Sequence, residues 1–222
     1  MGPGESRGFL VVLSAPSGAG KNTVLARVLP RLEHLTYSVS CTTRPARPGE
    51  RDGVDYYFLS DEEFDRRVST GDFLEWAWFC GHRYGTPRAF VEERTARGET
   101  VIMDIDVQGS AQVKRNWPGA VLVFLLPPSL EELRRRLTRR GSDGAAAVEG
   151  RLRAAREELR AVAEYDYVII NDELDRAARL LEAIIRAERL KTARSPWPTW
   201  LEALRKGDRI DAGTAEPGRD QG

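Results

Sequence analysis

Four short apolar runs punctuate the chain: Phe9–Leu13, Thr100–Ile105, Val121–Leu126 and Tyr167–Ile170. Each is apolar at consecutive positions and does not alternate, which is the pattern of a strand covered on both faces. Each leads, directly or through a turn, into helical spacing. Thr23–Leu32 sets Val24, Leu25, Val28 and Leu29 on one side, and Leu174–Leu190 repeats Leu, Ala and Ile at helical intervals. Strands of this kind alternating with helices predict an α/β fold, a parallel sheet with helices on both faces.

Two stretches break the alternation. Residues 37–86 hold no buried parallel-type run and are rich in Tyr, Trp, Arg and turn formers such as RPARPGERDG, so they read as a small inserted β-rich lobe. Residues 127–158 begin at Pro127-Pro128, carry LRRRLTRRGSDG with Gly141 and Gly144 at the bend, and resume a helix near Ala145. From Ser195 the chain runs through SPWPTW into a tail rich in Gly, Asp, Glu and Pro, whose last ~10 residues are expected to be disordered. No internal repeat is present.

Composition narrows the class. At 222 residues and 41% hydrophobic, the chain can build one packed α/β domain with excursions. Its 34 basic and 34 acidic residues cancel, which argues against a dedicated nucleic-acid or membrane-surface protein. Cys41 and Cys80 lack metal or disulfide spacing and are expected to be free thiols in a reducing cytosol. No apolar run has the length of a signal core or a membrane span, so a cytoplasmic protein is expected.

The chemistry starts after the first strand. SAPSGAGKNT runs from strand to helix, and Ala15–Thr23 predicts a phosphate cradle: backbone N–H groups and the helix N-terminus converge on an anion. Gly18 and Gly20 supply the wrap, and Lys21 reaches the β- and γ-phosphates of a triphosphate. Two positions depart from G-x-x-x-x-G-K-[ST]. Ala15 replaces the first glycine, and Asn22 stands where a hydroxyl would meet Mg²⁺.

Within the lobe, Arg44 and Arg47 flank Pro45 and suit a phosphomonoester, with Tyr56 and Tyr84 adding hydroxyl donors. Glu75, in DFLEWAWF, is able to accept two parallel hydrogen bonds from the N1–H and N2–H₂ edge of guanine, which adenine does not offer. A surface glutamate on a short helix is the competing reading of that residue alone. Trp76 and Trp78 are read as core or lobe packing, with base-stacking platforms as the competing reading. Asp104 and Asp106 fall at the C-terminal end of a buried strand, on one side of it if the extended geometry persists.

SAPSGAGKNT, SVSCTTRPARPGE, DGVDYYF, FLEWAWFCGHRYGT, IMDIDVQG, LPPSLEELRRRLTRRG and VIINDELD occur in the order and spacing of guanylate kinases, enzymes that phosphorylate GMP with ATP. The chain resembles that family from about Phe9 to Leu190. The resemblance implies a P-loop nucleoside monophosphate kinase fold. Its three-layer parallel-sheet core would comprise 1–36, 87–126 and 159–194, with a GMP-binding lobe at 37–86, a helical lid at 127–158 and a tail at 195–222. It also implies residue roles. Ala15, Pro16, Ser17, Gly18, Ala19, Gly20, Lys21, Asn22, Thr23 and Asn171 would bind ATP, Asn171 at the adenine. Ser40, Glu75, Thr86 and Asp106 would contact guanine, while Arg44, Arg47, Tyr56 and Tyr84 would hold the GMP phosphate. Lys21, Arg44, Arg136, Arg140 and Arg151 would be the catalytic cations, and Asn22 and Asp104 would serve Mg²⁺, in part through water. The implied partners are ATP and GMP or dGMP, with no nucleic acid and no membrane. Cys41 and His82-Arg83 depart from commoner family residues, Cys41 reading as filler.

Two other readings share features with this one. A non-catalytic scaffold domain of the same fold would lack the lysine and the lid arginines. A P-loop kinase for another phosphorylated acceptor is separated by an acceptor screen.

Overall fold

The computed structural model describes residues 7–79, 81–139 and 145–210. The first part of the chain forms β1 (Phe9–Ser14), α1 (Lys21–Val28), β2 (Leu35–Tyr37), β3 (Cys41–Thr42), β4 (Tyr57–Phe58), α2 (Asp61–Thr70), β5 (Phe73–Phe79) and β6 (His82–Pro87). It continues through α3 (Arg88–Ala96), β7 (Thr100–Asp104), α4 (Val107–Asn116), β8 (Val121–Leu126) and α5 (Leu130–Arg139). The last elements are α6 (Ala145–Glu158), β9 (Tyr167–Ile170), α7 (Leu174–Arg189) and α8 (Trp197–Lys206).

Five strands form one parallel sheet in the order β2-β7-β1-β8-β9. The four apolar runs are four of these strands. The fifth, β2, is only three residues long and half-buried, too short to leave a pattern in the sequence. Successive side chains of β1 point to opposite faces. Phe9, Val11 and Leu13 join one apolar cluster with Val24, Leu25 and Val28 of α1 and Leu181 and Ile185 of α7. Leu10 and Val12 join another with Val91 of α3 and Val113 of α4. Both faces are dry, which is why the run is continuous; each such side chain contributes about 1.5–3 kcal/mol by its burial. Helix α1 stops at Val28 and not at Leu32, because Pro30 tightens the chain into a 3₁₀ turn over Leu29–Arg31.

A second, mixed sheet has the order β4-β3-β6-β5. Helix α2 packs on it through Phe64, which meets Cys41 and Phe73. Ser60 caps α2 by accepting the Glu63 N–H, and three acids fill the first turn. Trp76 packs against this cluster as expected, but Trp78 is 63% exposed. The Trp78 expectation is corrected: near the end of β5 its ring lies under the Arg83 guanidinium, 5.5 Å away, and outside the lobe core. Arg83 itself is buried, stacks on Phe64 at 4.8 Å and pairs with Asp61 and Asp65, so this departure fastens α2 to β6.

Helices α5 and α6 share a separate small cluster, Leu133 and Leu137 against Val148, Leu152 and Ala155. Arg140, Gly141, Gly144, Cys80 and the last residues, expected to be disordered, lie outside the described residues. SPWPTW opens α8, whose two prolines sit at its N-cap and first turn, where they are tolerated. Among the described residues no helix is long and apolar enough to cross a membrane.

Candidate active site

The C-terminal ends of β1 and β7 open onto the loop that joins β1 to α1. Ala19 N–H closes that loop on Pro16 O at 3.0 Å, and Gly18 and Gly20 take φ of +91° and +97°. Those angles demand glycine, and a Cβ on Gly20 would in addition lie 2.6 Å from the Asn171 amide nitrogen. Ala15 has no positive φ, and its methyl is buried in the core cluster, so its departure from glycine is accommodated.

This loop is a wall shared by two hollows. The first, of about 540 Å³, is lined by Ala15, Pro16, Ser17, Gly18, Gly20, Lys21 and Asn22 on the loop side. Across it lie Ser40, Arg44, Arg47, Tyr56, Glu75, Tyr84, Asp104 and Asp106. The second, of about 510 Å³, is lined by Gly18, Gly20, Thr23, Arg136, Arg139, Asn171, Asp172 and Leu174. Of the other residues singled out from the sequence, Ala19 and Thr86 are fully buried behind these surfaces. Arg151, on α6, lines neither hollow, and Arg140 is outside the described residues.

Glu75 lies on β5, not on a helix, and is 5% exposed. Thr86 Oγ1 donates to Glu75 Oε1 at 2.7 Å. Burial pushes the Glu75 carboxyl up to about 7, with Asp106 adding to the shift and the Thr86 hydrogen bond opposing it. The other oxygen lies so close to α4 that a Cβ on Gly109 would fall 2.9 Å from it. A glycine at that turn is what lets a lobe carboxylate reach the core.

The sequence pattern sets both aspartates at the C-terminal end of the Thr100–Ile105 strand; the structure ends β7 at Asp104 and uses Asp106 to start α4. Asp106 accepts the Gly109 N–H at 2.8 Å as the N-cap. Both acids still face the first hollow, because the Asp106 backbone stays extended. Asp104 accepts from the Tyr37 hydroxyl and lies 3.6 Å from Lys21 Nζ. Lys21 also donates to Ile105 O at 3.0 Å, a carbonyl that the buried Ser14 hydroxyl also serves.

Arg44 is the best-anchored cation of the lobe, paired with Glu50 and stacked 5.3 Å over the Tyr56 ring. Tyr56 and Tyr84 meet edge to face at 5.9 Å, while Arg47 is exposed at the rim. In the second hollow, Asn171 is buried and donates its amide to Ala19 O at 2.7 Å. Arg136 donates to the same carbonyl and to Asn171 O, each at 3.1 Å, so α5 is tied directly to the cradle.

Tyr37, Glu50, Ile105 and Glu158 line the first hollow and Arg139 and Asp172 the second, and sequence reasoning singled out none of them. Glu50 had a signal, since an acid follows the Pro-Gly turn beside the two arginines. Glu158, the last residue of α6, had none: its Oε2 is buried with no hydrogen-bond partner among the described residues, and burial raises its pKa.

The family model described as guanylate kinase matches residues 7–188. A guanylate kinase of Symbiobacterium thermophilum is 49% identical over 94% of this chain and 99% of its own length. One of Thermus thermophilus is 52% identical over 85% of each chain. The crystal structure of guanylate kinase from Anaplasma phagocytophilum superposes with a TM-score of 0.71 at 36% identity, covering 94% of this chain and all of the other. The chain belongs to the guanylate kinase family.

Proposed function

We propose that this protein transfers the γ-phosphoryl group of ATP to GMP, giving ADP and GDP. The observation that carries the reading is the cradle wall common to two hollows, one of which is lined by a buried carboxylate together with cations and phenols. Two polyanions bound on either side of Gly18–Lys21 meet at the lysine.

In the acceptor hollow, ionised Glu75 accepts from the guanine N1–H and N2–H₂, helped by Ser40, Thr86 and Asp106. Arg44, Arg47, Tyr56 and Tyr84 hold the acceptor phosphate. In the donor hollow, the cradle amides hold the β- and γ-phosphates while Asn171 borders the adenine. An acceptor phosphate oxygen attacks the γ-phosphorus in line, and the bond to the β–γ bridging oxygen breaks. The acceptor is already an anion, so no general base is required, and catalysis rests on position and charge neutralisation. Lys21 and Arg136 flank the transferring group, joined by Arg140 and Arg151 from the lid at 127–158 when it closes and excludes water.

Among the described residues no group of three or more His, Cys, Asp or Glu is placed to hold a metal ion. One carboxylate and one amide beside phosphates is, however, the sparse donor set that suits Mg²⁺, which keeps waters and substrate oxygens. Asp104, through water, and Asn22 would hold that ion, which when bound offsets phosphate charge.

The test is a coupled assay with ATP and Mg²⁺ against GMP, dGMP, AMP, UMP and CMP. Turnover confined to the guanine nucleotides is expected; AMP or a pyrimidine nucleotide turning over as fast as GMP overturns the assignment.

A further inference from the structure

We propose that Glu50 is a positioning residue for the acceptor phosphate: it holds the Arg44 guanidinium by one edge so that another edge is presented to the phosphate. The inference rests on the GMP-kinase reading of the hollow and adds a residue to it.

The local sequence builds the device. Arg47-Pro48-Gly49-Glu50 closes as a β-turn, with the Glu50 N–H donating to Arg47 O at 3.0 Å and Gly49 at φ +89°. Proline followed by a glycine of positive φ is the pattern of a type II turn. A Cβ on Gly49 would meet nothing within 4 Å, so glycine is required there for its φ and not for space. The turn folds the Glu50 side chain back on its own start, where Oε2 accepts the Arg47 N–H at 2.8 Å.

The same carboxylate takes Arg44 in a two-point grip, Nη1 to Oε2 at 3.0 Å and Nη2 to Oε1 at 2.9 Å. Nη1 also donates to Pro45 O at 2.7 Å. An arginine has five N–H donors in a fixed plane. These contacts use three of Arg44's; the other two, on Nε and Nη2, lie along a single edge, and Tyr84, a further hydrogen-bonding neighbour of the guanidinium, lines the same hollow. The plane is fixed as well, by Tyr56 at 5.3 Å and Phe58 at 5.8 Å. Both Arg44 and Glu50 line the acceptor hollow. A long, flexible cation is thereby held as a rigid fork, which lowers the entropy lost when an anion binds.

Glu50 also has an opposing effect, since its negative charge repels an incoming phosphate. The Arg44 hydrogen bonds hold its carboxyl below the usual range, so it stays ionised and the repulsion is real. Orientation and repulsion predict opposite signs for its removal. That makes the inference decidable.

The experiment is calorimetric titration of GMP and of guanosine, which lacks the phosphate, into the full chain and into Glu50→Gln and Gly49→Ala. Gly49→Ala keeps the charge of Glu50 and strains only the turn. The expected result is a Kd for GMP about tenfold weaker in Glu50→Gln, the loss of one charge-assisted grip, and weaker in Gly49→Ala as well. Guanosine affinity should stay within about twofold in both, as should the KM for ATP. A GMP affinity unchanged or improved in Glu50→Gln overturns the inference, as does a loss of guanosine binding equal to that of GMP. Failure of the unmodified protein to phosphorylate GMP would instead strike the proposed reaction, which the titrations do not depend on.

Discussion

Desolvation sets the behaviour of Glu75. Its carboxyl is raised to about 7 by burial, above the ordinary 4.5 that it regains on unfolding. Between those values the native state binds more protons than the unfolded state, so stability is lost as pH rises through that window. The penalty is absent below about pH 4.5 and complete above about pH 7, where the shift amounts to on the order of 3 kcal/mol. Glu75→Gln is therefore expected to raise the stability of the ligand-free protein more at pH 8 than at pH 5, measured by urea titration at both. The same substitution offers guanine an N–H where an acceptor is needed, and should weaken GMP by about 1–3 kcal/mol while sparing ATP. Equal GMP affinities in the two proteins would count against the guanine contact. Arg83 shows the limit of reading at this scale: the sequence marks it as an unusual residue before Tyr84, yet only its two aspartates and two rings reveal a fastener.

Among the elements, α4 joins a structural to a functional task at its first residue. Asp106 caps the helix through Gly109 and also faces the acceptor hollow. Asn caps about as well as Asp, while Ala loses the cap for about 1 kcal/mol. Asp106→Asn is thus expected to melt with the natural protein but to bind GMP more weakly, and Asp106→Ala to show both defects. Thermal melts beside GMP titrations would separate the two; a destabilised Asn variant would refute the capping role assigned to the side chain. The helix start was visible in the DIDVQG pattern only as a pair of acids on a strand. In the structure Asp106 starts the helix by accepting the Gly109 N–H, and Gly109 in turn closely approaches Glu75, 34 residues away in sequence.

For the whole molecule, the sheet places its strand ends at one crevice while distant chain segments are tied behind it. Glu188 is 1% exposed and receives Tyr167, Lys191 and Arg194. Arg194 also lies 4.3 Å over the Phe9 ring, and its carbonyl accepts the Arg7 N–H at 2.9 Å, so one residue links α7, β1 and the start of the described chain. Arg194→Ala leaves the buried Glu188 carboxylate short of one of its three partners and is expected to cost about 3 kcal/mol. That corresponds to a melting temperature lower by roughly 6–12 °C for a chain of this size, read by calorimetry. KM values for ATP and GMP should be unaltered; an unchanged melting temperature would show that the cluster contributes nothing.

What the chain determines locally was legible in the sequence: the four doubly buried strands, the glycine-rich turn with Lys21, the arginine pair, and the order of segments that places the protein in its family. Each depends on neighbours in sequence, through hydrophobic period, backbone freedom or turn chemistry. The tertiary structure alone decided the rest. Tyr37 on a three-residue strand and Glu158 at a helix end reach the acceptor hollow because strands and helices far apart in the chain pack there. Glu75, raised by burial, likewise lies against α4, a separate element. Charge and desolvation act through space, and a linear pattern carries no record of which distant groups will share it.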